Sequence, residues 1–442
     1  QEVIHVQHKT LLPTYDVFDE YRYFEPAKHH RTVMFKGKRI ALTVCEDLWN
    51  LGNENPLYTV CPMDLMFPEH PDLMVNVSAS PFDYDHAADR LEVIKANVAR
   101  YKIPMFYSNV VGAQTEIIFD GGSLVLSPDG NVYDEMPYFV EETRYYELND
   151  VVKGGYNREQ PKDKITLIHD AIILGLKDYF GKLGLKKAIL GLSGGIDSAI
   201  TAVMATRALG KENVRVVLMP SPYSSSHSVD DAKDLAEKLG IRYDIIPIKE
   251  SYEAFLKNLE GVLEGKPFDV TEENIQARCR AIILMGISNK YGNILLNTTN
   301  KSEFSVGYGT LYGDLAGGLS VLGDIYKTEI YLLANYINKD GLIIPQNSIS
   351  KPPSAELRPN QKDSDSLPEY HILDPILYMY IERRLGPQEI IDMGFDETLV
   401  RRILKLVNTS EFKRHQTAPV LRVSPKAFGV GRRMPIVGKY LT

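Results

Sequence analysis

The stretch Leu190-Gly191-Leu192-Ser193-Gly194-Gly195-Ile196-Asp197-Ser198 joins a short apolar strand over 188–192 to a helix that begins around Asp197. That helix runs on through Ala199, Ala202, Val203 and Ala205. Glycines without Cβ let backbone N–H groups close around an anion. The helix N-terminus behind them adds unpaired donors and a partial positive charge. Together these make a phosphate cradle, and not one of the lysine-containing kind, since no Gly-Lys-Ser/Thr closes it. Asp197 is placed to hold Mg²⁺, and the hydroxyls of the loop to bind phosphate oxygens. The competing reading is an ordinary glycine turn, and the Ile-Asp-Ser that follows the glycines weighs against it.

Outward from this loop, strands and helices alternate. An amphipathic helix is expected over 165–182, then strands over 187–192, 214–219, 241–248 and 293–298. Helices are expected over 228–239, with Ser228 as N-cap and Gly240 past the end, and over 271–289. Such alternation implies an α/β fold with a doubly wound parallel sheet, whose ligands sit beyond the carboxyl ends of the strands. The Pro-rich, charged run over 345–370 reads as an ordered loop or lid, and 372–384 and 387–407 as a helical tail.

The first half is different. Strands are expected over 1–7, 39–44, 72–77, 105–110, 116–119, 123–126 and 132–133, with a helix over 87–102 carrying Leu91, Ile94, Val98 and Tyr101 on one face. This is a sheet with helices outside it. The expected division is therefore a first domain over 1–150, a linker over 151–163 and a second domain over 164–442. The first residue is not Met, and the chain reads as beginning inside a domain.

Composition narrows the class. The chain has 442 residues, 44% hydrophobic and 24% charged, an ordinary globular balance. A net charge of −8 argues against nucleic acid held by general electrostatics. Three scattered cysteines make no disulfide framework, which points to a reducing cytoplasm. No apolar run approaches the ~18 residues of a membrane span.

Three polar segments fall where a ligand would lie. Asn297-Thr-Thr-Asn-Lys-Ser-Glu303 follows a buried strand, and Tyr312-Gly-Asp314-Leu-Ala-Gly-Gly318 supplies mobile backbone and a carboxylate. Lys327 opens a helix, a position that disfavours a cation unless an anion is near. With the loop at 190–198, these resemble the adenylating ATP pyrophosphatases. Asn274-Ile-Gln-Ala-Arg278-Cys-Arg280, Asn300-Lys-Ser-Glu303, Leu311-Tyr-Gly-Asp314, Lys351-Pro-Pro-Ser-Ala-Glu-Leu-Arg-Pro-Asn-Gln-Lys-Asp363 and Glu411-Phe-Lys-Arg-His-Gln416 resemble, within that group, the NAD⁺ synthetases. The match covers nearly all of 163–435.

The first half is similar to the nitrilase-like glutaminase domain fused to NAD⁺ synthetase in glutamine-dependent enzymes. The stretches that carry this are Lys9-Thr-Leu-Leu-Pro-Thr-Tyr15-Asp-Val-Phe-Asp-Glu20 and Val44-Cys45-Glu46-Asp47-Leu-Trp49. A thiolate nucleophile at Cys45 needs a cation to lower its pKa, and Lys9 can supply one and steady an oxyanion. Cys61 and Cys279 lack such company and read as packing. Two departures stand out. The family's general-base glutamate lies upstream of the lysine, and only eight residues precede Lys9, so an incomplete nitrilase-like α-β-β-α domain is expected. Glu20 and Glu46 match supporting glutamates of the family. Where members often carry Lys or Arg six residues after Ser80, this chain has His86.

The resemblance implies that Cys45 takes ammonia from glutamine held by Tyr15 and Ser80, and that a protected channel carries it to the second site. There the nicotinate carboxylate of deamido-NAD⁺ is adenylated by ATP and then amidated, giving NAD⁺, AMP and pyrophosphate. Residues 191–198 would cradle pyrophosphate, with Asp197 and Glu303 as Mg²⁺ ligands. Thr298, Lys327 and Ser354 match ATP-contacting positions, and Asn274, Glu303, Tyr308 and Lys413 the deamido-NAD⁺ side. Thr299 stands where the family commonly has Gly. A homo-oligomer is implied. The alternatives are another glutamine amidotransferase of the same loop family, or a nucleotide-binding regulator with a decayed glutaminase half.

Overall fold

Short β-branched runs with turn residues between them build the first of two units. The computed structural model describes residues 2–158, 160, 163–359 and 361–438. Glu159, Pro161 and Lys162 of the expected linker, Asn360 of the 351–363 segment, and both chain ends (Gln1 and 439–442) lie outside the described residues. One compact unit holds 1–113 and 117–167, the other 114–116 and 168–442.

The first unit contains β1 (Val33–Phe35), β2 (Lys38–Val44), β3 (Leu73–Ser78), β4 (Met105–Asn109), β5 (Val111–Gln114), β6 (Ile117–Asp120), β7 (Leu124–Leu126) and β8 (Val132–Glu135). Six of them form one sheet in the order β1-β2-β3-β4-β7-β8, while β5 and β6 pair separately. β2, β3 and β4 are parallel and the outer pairings antiparallel. The helix His86–Tyr101 buries the face predicted by its spacing: Ile94, Val98 and Tyr101 join Met74, Met105 and Leu126 in the core. Residues 2–8 form no strand, contrary to the sequence expectation. No strand pairs with them, and Val3, Ile4 and Val6 stay exposed. A β-branched run becomes a strand only where an edge accepts it.

In the second unit, β9 (Lys187–Gly191), β10 (Val214–Leu218), β11 (Arg242–Ile245), β12 (Asn293–Asn297) and β13 (Leu319–Ser320) form one sheet in the order β11-β10-β9-β12-β13. Every pairing is parallel, as expected for a doubly wound fold. Ala188, Ile189 and Leu190 are fully buried, which accounts for an apolar run without alternation. The helix Ile196–Leu209 packs with Ala199, Ala202, Val203 and Ala205 buried, small side chains that let it lie close to its neighbours.

Three sequence expectations change here. The helix Ser226–Leu239 is capped by Ser225, whose side chain accepts from the Ser228 N–H at 3.2 Å, so Ser228 lies inside the first turn. A helix Lys249–Leu263 fills a stretch for which no element was expected. The single helix expected over 387–407 is two, Pro387–Asp392 and Glu397–Thr409. Gly394 takes φ +99° between them, and Asp396 caps the second through the Leu399 N–H at 2.8 Å. Among the described residues, no helix is long and apolar enough to cross a membrane.

Candidate functional site

The strand order of the second unit reverses at β9, which has β10 on one side and β12 on the other. The crevice beyond the carboxyl ends at such a switch point is where ligands bind in open parallel sheets. A cavity of about 320 Å³ lies there, lined by the loop after β9, the residues after β12 and parts of 348–363. Of the candidate residues, Gly191, Leu192, Ser193, Gly195, Ile196, Asp197, Ser198, Thr298, Glu303, Tyr308, Lys327 and Ser354 line it.

The loop is held by its own hydroxyls. The Ser198 Oγ donates to Gly195 O at 3.0 Å and accepts from the Ser193 N–H at 3.2 Å. Gly194 takes φ +81°, and a Cβ there would stand 2.1 Å from Ser228 O. Only glycine fits this position.

Asp197, Glu303 and Lys327 come from three distant segments and meet around one cation. Lys327 Nζ lies 2.5 Å from Asp197 Oδ2 and 3.7 Å from Glu303 Oε1. Asn300 Nδ2 donates to Asp197 Oδ1 at 3.0 Å. Burial and the neighbouring Asp197 push the Glu303 carboxyl up to about 8, against the pull of Lys327. Burial alone would lower the Lys327 ammonium, but the Asp197 and Glu303 carboxylates outweigh it and hold the group above its ordinary value. The anion that a cation needs at a helix start is thus supplied by the protein itself. Behind these groups, Ser302 Oγ accepts from the Lys327 N–H at 2.8 Å and donates to Asp374 at 2.6 Å. Lys301, fully buried between Asp324 and Glu382, pins the short helix Lys301–Val306 that presents Glu303.

Two candidates for the deamido-NAD⁺ side, Asn274 and Lys413, stand outside this cavity. Asn274 accepts from the Thr310 hydroxyl at 2.7 Å, and Lys413 Nζ donates to the carbonyls of Gly307 and Gly309 at 2.8 Å each. Neither lines the cavity. Thr299, in place of the family's glycine, is buried and donates its N–H to Asn297 Oδ1 at 2.9 Å. Arg280 and Asp363, which the sequence places in segments of family likeness without a role, also line the cavity, as does Tyr331, which the sequence did not single out. Asp363 accepts from the Tyr370 hydroxyl at 2.9 Å. Tyr331 lies one helical turn after Lys327, and that i+4 spacing was the available signal.

In the first unit, Cys45 stands at the carboxyl end of β2 and opens the turn Cys45–Leu48 with φ +47°. Left-handed backbone at a non-glycine residue marks a strained turn. Asn76, on the adjacent β3, donates to the Cys45 carbonyl at 3.3 Å. Burial pushes the Cys45 thiol up; Lys9, the Ala79 N–H and Ser78 pull it back, and the net is a raised value. The lysine therefore acts in the expected direction while burial prevails. Lys9 Nζ also donates to both oxygens of Glu20 at 2.7 Å. Tyr15 and Tyr58 both donate to Glu46 Oε1 at 2.8 Å, a link that only the fold reveals for Tyr58. Ser80 Oγ lies 2.9 Å from His86 Nε2, and the His86 ring stacks on Trp49 with centroids 5.5 Å apart.

Likeness to known proteins extends over nearly the whole chain. Residues 168–417 match the family model described as NAD synthase. A Glutamine-dependent NAD(+) synthetase from Synechocystis is 45% identical over 436 residues, 97% of this chain and 78% of that protein. One from Thermotoga maritima is 40% identical over 475 residues, 99% of this chain and 81% of that protein. The solved structure of a glutamine-dependent NAD⁺ synthetase from Acinetobacter baumannii in complex with adenosine diphosphate is 36% identical, with a TM-score of 0.74, covering 99% of this chain and 79% of that one. The chain belongs to the glutamine-dependent NAD⁺ synthetase family.

Proposed function

We propose that residues 1–150 hydrolyse glutamine and residues 164–442 use the ammonia. As a member of its family, the chain is a ligase that amidates deamido-NAD⁺ to NAD⁺ with ATP and glutamine, through an adenylated intermediate, releasing AMP and pyrophosphate. The observation that carries the reading is the meeting of Asp197, Glu303 and Lys327 on one cavity behind a glycine loop.

At the first site, the Cys45 sulfur attacks the side-chain amide carbon of glutamine, held by Tyr15 and Ser80. Ammonia leaves, and water hydrolyses the glutamyl thioester. Lys9 draws the thiol toward thiolate and steadies the developing oxyanion. At the second site, residues 191–198 cradle the departing pyrophosphate. Thr298, Lys327 and Ser354 hold ATP, while Asn274, Glu303, Tyr308 and Lys413 face deamido-NAD⁺. Chemistry of this kind is mostly positioning and charge neutralisation.

Mg²⁺ belongs to the same proposal. Among the described residues, no set of three or more His, Cys, Asp or Glu side chains gathers for a metal. A two-carboxylate site still fits, because Mg²⁺ commonly takes one or two carboxylates together with substrate phosphates. Glu303, pushed up to about 8 beside Asp197, is a carboxyl that a further cation would ionise. When bound by Asp197 and Glu303, the ion supplies charge neutralisation at the phosphates. The reading extends to a cytoplasmic homo-oligomer, supported at the first point by three free cysteines.

The test is stoichiometry. With deamido-NAD⁺, ATP, Mg²⁺ and glutamine, NAD⁺, AMP and pyrophosphate are expected in equal amounts. ADP and phosphate in their place would refute adenylation.

A further inference from the structure

We propose that Asp47 is the positioning residue of the glutaminase site, its carboxylate fixing the Lys9 segment against the turn that carries Cys45. The proposal rests on the reading of Cys45 as nucleophile and Lys9 as its cation.

Asp47 is 1% exposed and lies two residues after Cys45. Its Oδ1 accepts from the Thr10 N–H at 3.0 Å and from the Leu11 N–H at 2.9 Å, the two residues directly after Lys9. Its Oδ2 accepts from the Val44 N–H at 3.0 Å, the residue directly before Cys45. One side chain therefore grips the backbone beside both groups that the chemistry uses. A buried carboxylate is tolerated only when donors replace its water, and three backbone N–H groups do so here. The Asp47 carboxyl remains raised by burial, with those three bonds and Lys9 pulling it down.

The Lys9 segment needs such a grip. Residues 9–13 belong to no helix or strand, so no regular ladder sets their place. Their other ties include the Ala27 N–H to the Lys9 carbonyl at 2.9 Å, the Glu20 N–H to the Pro13 carbonyl at 3.1 Å, Lys9 Nζ to the Glu20 carboxylate at 2.7 Å and Thr10 Oγ1 to His30 Nε2 at 2.9 Å. All four run to residues 20–30 and none to the nucleophile turn. The Asp47 bonds run straight into it. The Val44 bond also closes the turn in which Cys45 holds φ +47°, so the same carboxylate maintains the strained backbone that aims the sulfur.

Asparagine at this position keeps one accepting oxygen and replaces the other with an NH₂ that faces a donor. Either the Val44 side or the Thr10 and Leu11 side then comes loose. In both cases Lys9 loses its register to the sulfur, and its pull on the thiol weakens.

The experiment follows iodoacetamide alkylation of Cys45 against pH in wild type, Asp47→Asn and Asp47→Glu, with Cys45→Ala identifying the labelled residue. Steady-state turnover with glutamine and with ammonium is measured on the same preparations. In Asp47→Asn the alkylation midpoint is expected to rise by about one pH unit, and glutamine kcat to fall about 10²-fold, with ammonium-driven synthesis within about twofold of wild type. Asp47→Glu keeps the charge but moves the oxygens by about one methylene, and is expected to raise the midpoint too. It decides the matter should the asparagine variant not fold. A wild-type midpoint in the folded variant overturns the proposal. So does an equal loss of both activities with no midpoint shift, the signature of a packing role. Glutamine turnover that survives Cys45→Ala would instead overturn the nucleophile assignment on which the proposal rests.

Discussion

Gly194→Ala tests the loop through its backbone alone. The added Cβ would stand 2.1 Å from Ser228 O, 2.8 Å from Ser228 C and 2.9 Å from Ser228 Cα, against an ordinary contact of at least 3.4 Å. These are backbone atoms inside the first turn of the helix Ser226–Leu239, which no rotamer change can move aside. The loop and that helix must part by about 1 Å, and overpacking of this kind costs about 1–3 kcal/mol. Holding alanine at φ +81° adds about 1 kcal/mol. The total of about 2–4 kcal/mol lowers the melting temperature of a unit this size by about 5–15 °C. A shift of about 1 Å in a positioning loop also costs about 10²-fold in rate. The assays are thermal melting without ligand and NAD⁺ formation with glutamine and with ammonium. Gly195→Ala is the control, since its Cβ would meet only Ser193 Oγ at 3.3 Å and its φ is −82°. At that N-cap the melting cost should stay near about 1 kcal/mol or less. Wild-type melting and turnover in Gly194→Ala, or a greater loss of stability in Gly195→Ala, would refute the reasoning.

Asp197→Asn removes a charged partner of Lys327 and a proposed metal ligand together, and NAD⁺ formation should fall about 10³-fold with either nitrogen donor; loss with glutamine alone would contradict the role. Glu303 gives a pH prediction. Its folded value of about 8 lies above the ordinary 4.5, so between these the folded chain holds a proton that the unfolded chain has released. Ligand-free stability contributed by this group is therefore present below about 4.5 and is lost as pH rises toward about 8. Melting scans across that window should show wild type falling relative to Glu303→Gln, and parallel curves would contradict the assignment.

The centre of the parallel sheet of the second unit was legible because β9, β10 and β12, buried along most of their length, read as apolar runs, and β9 and β12 lead into loops of glycines or polar residues. The candidate phosphate loop was legible because its chemistry is local: the eight consecutive residues 191–198 supply backbone, hydroxyls and a carboxylate. Cys45 and Lys9 were legible through family likeness, whereas the φ of +47° at Cys45 and the burial that raises its thiol were not, since both depend on β3 lying alongside. The pairing of Asp197 with Lys327 spans 130 residues of chain and needed the fold. Placing Asp363 and Arg280 on the cavity needed the fold as well. Gly394 shows the opposite failure: hydrophobic spacing continues through it at helical period, and a positive φ at one glycine still breaks the helix in two.

The most direct test of the account is the nitrogen dependence of Cys45→Ala. NAD⁺ is measured from deamido-NAD⁺, ATP and Mg²⁺, in parallel with glutamine and with ammonium. The account predicts loss of the glutamine-driven reaction to background, with ammonium-driven formation kept at the wild-type level. Glutamine-driven formation at the wild-type rate, or an ammonium reaction abolished along with it, would contradict two separate sites joined by ammonia.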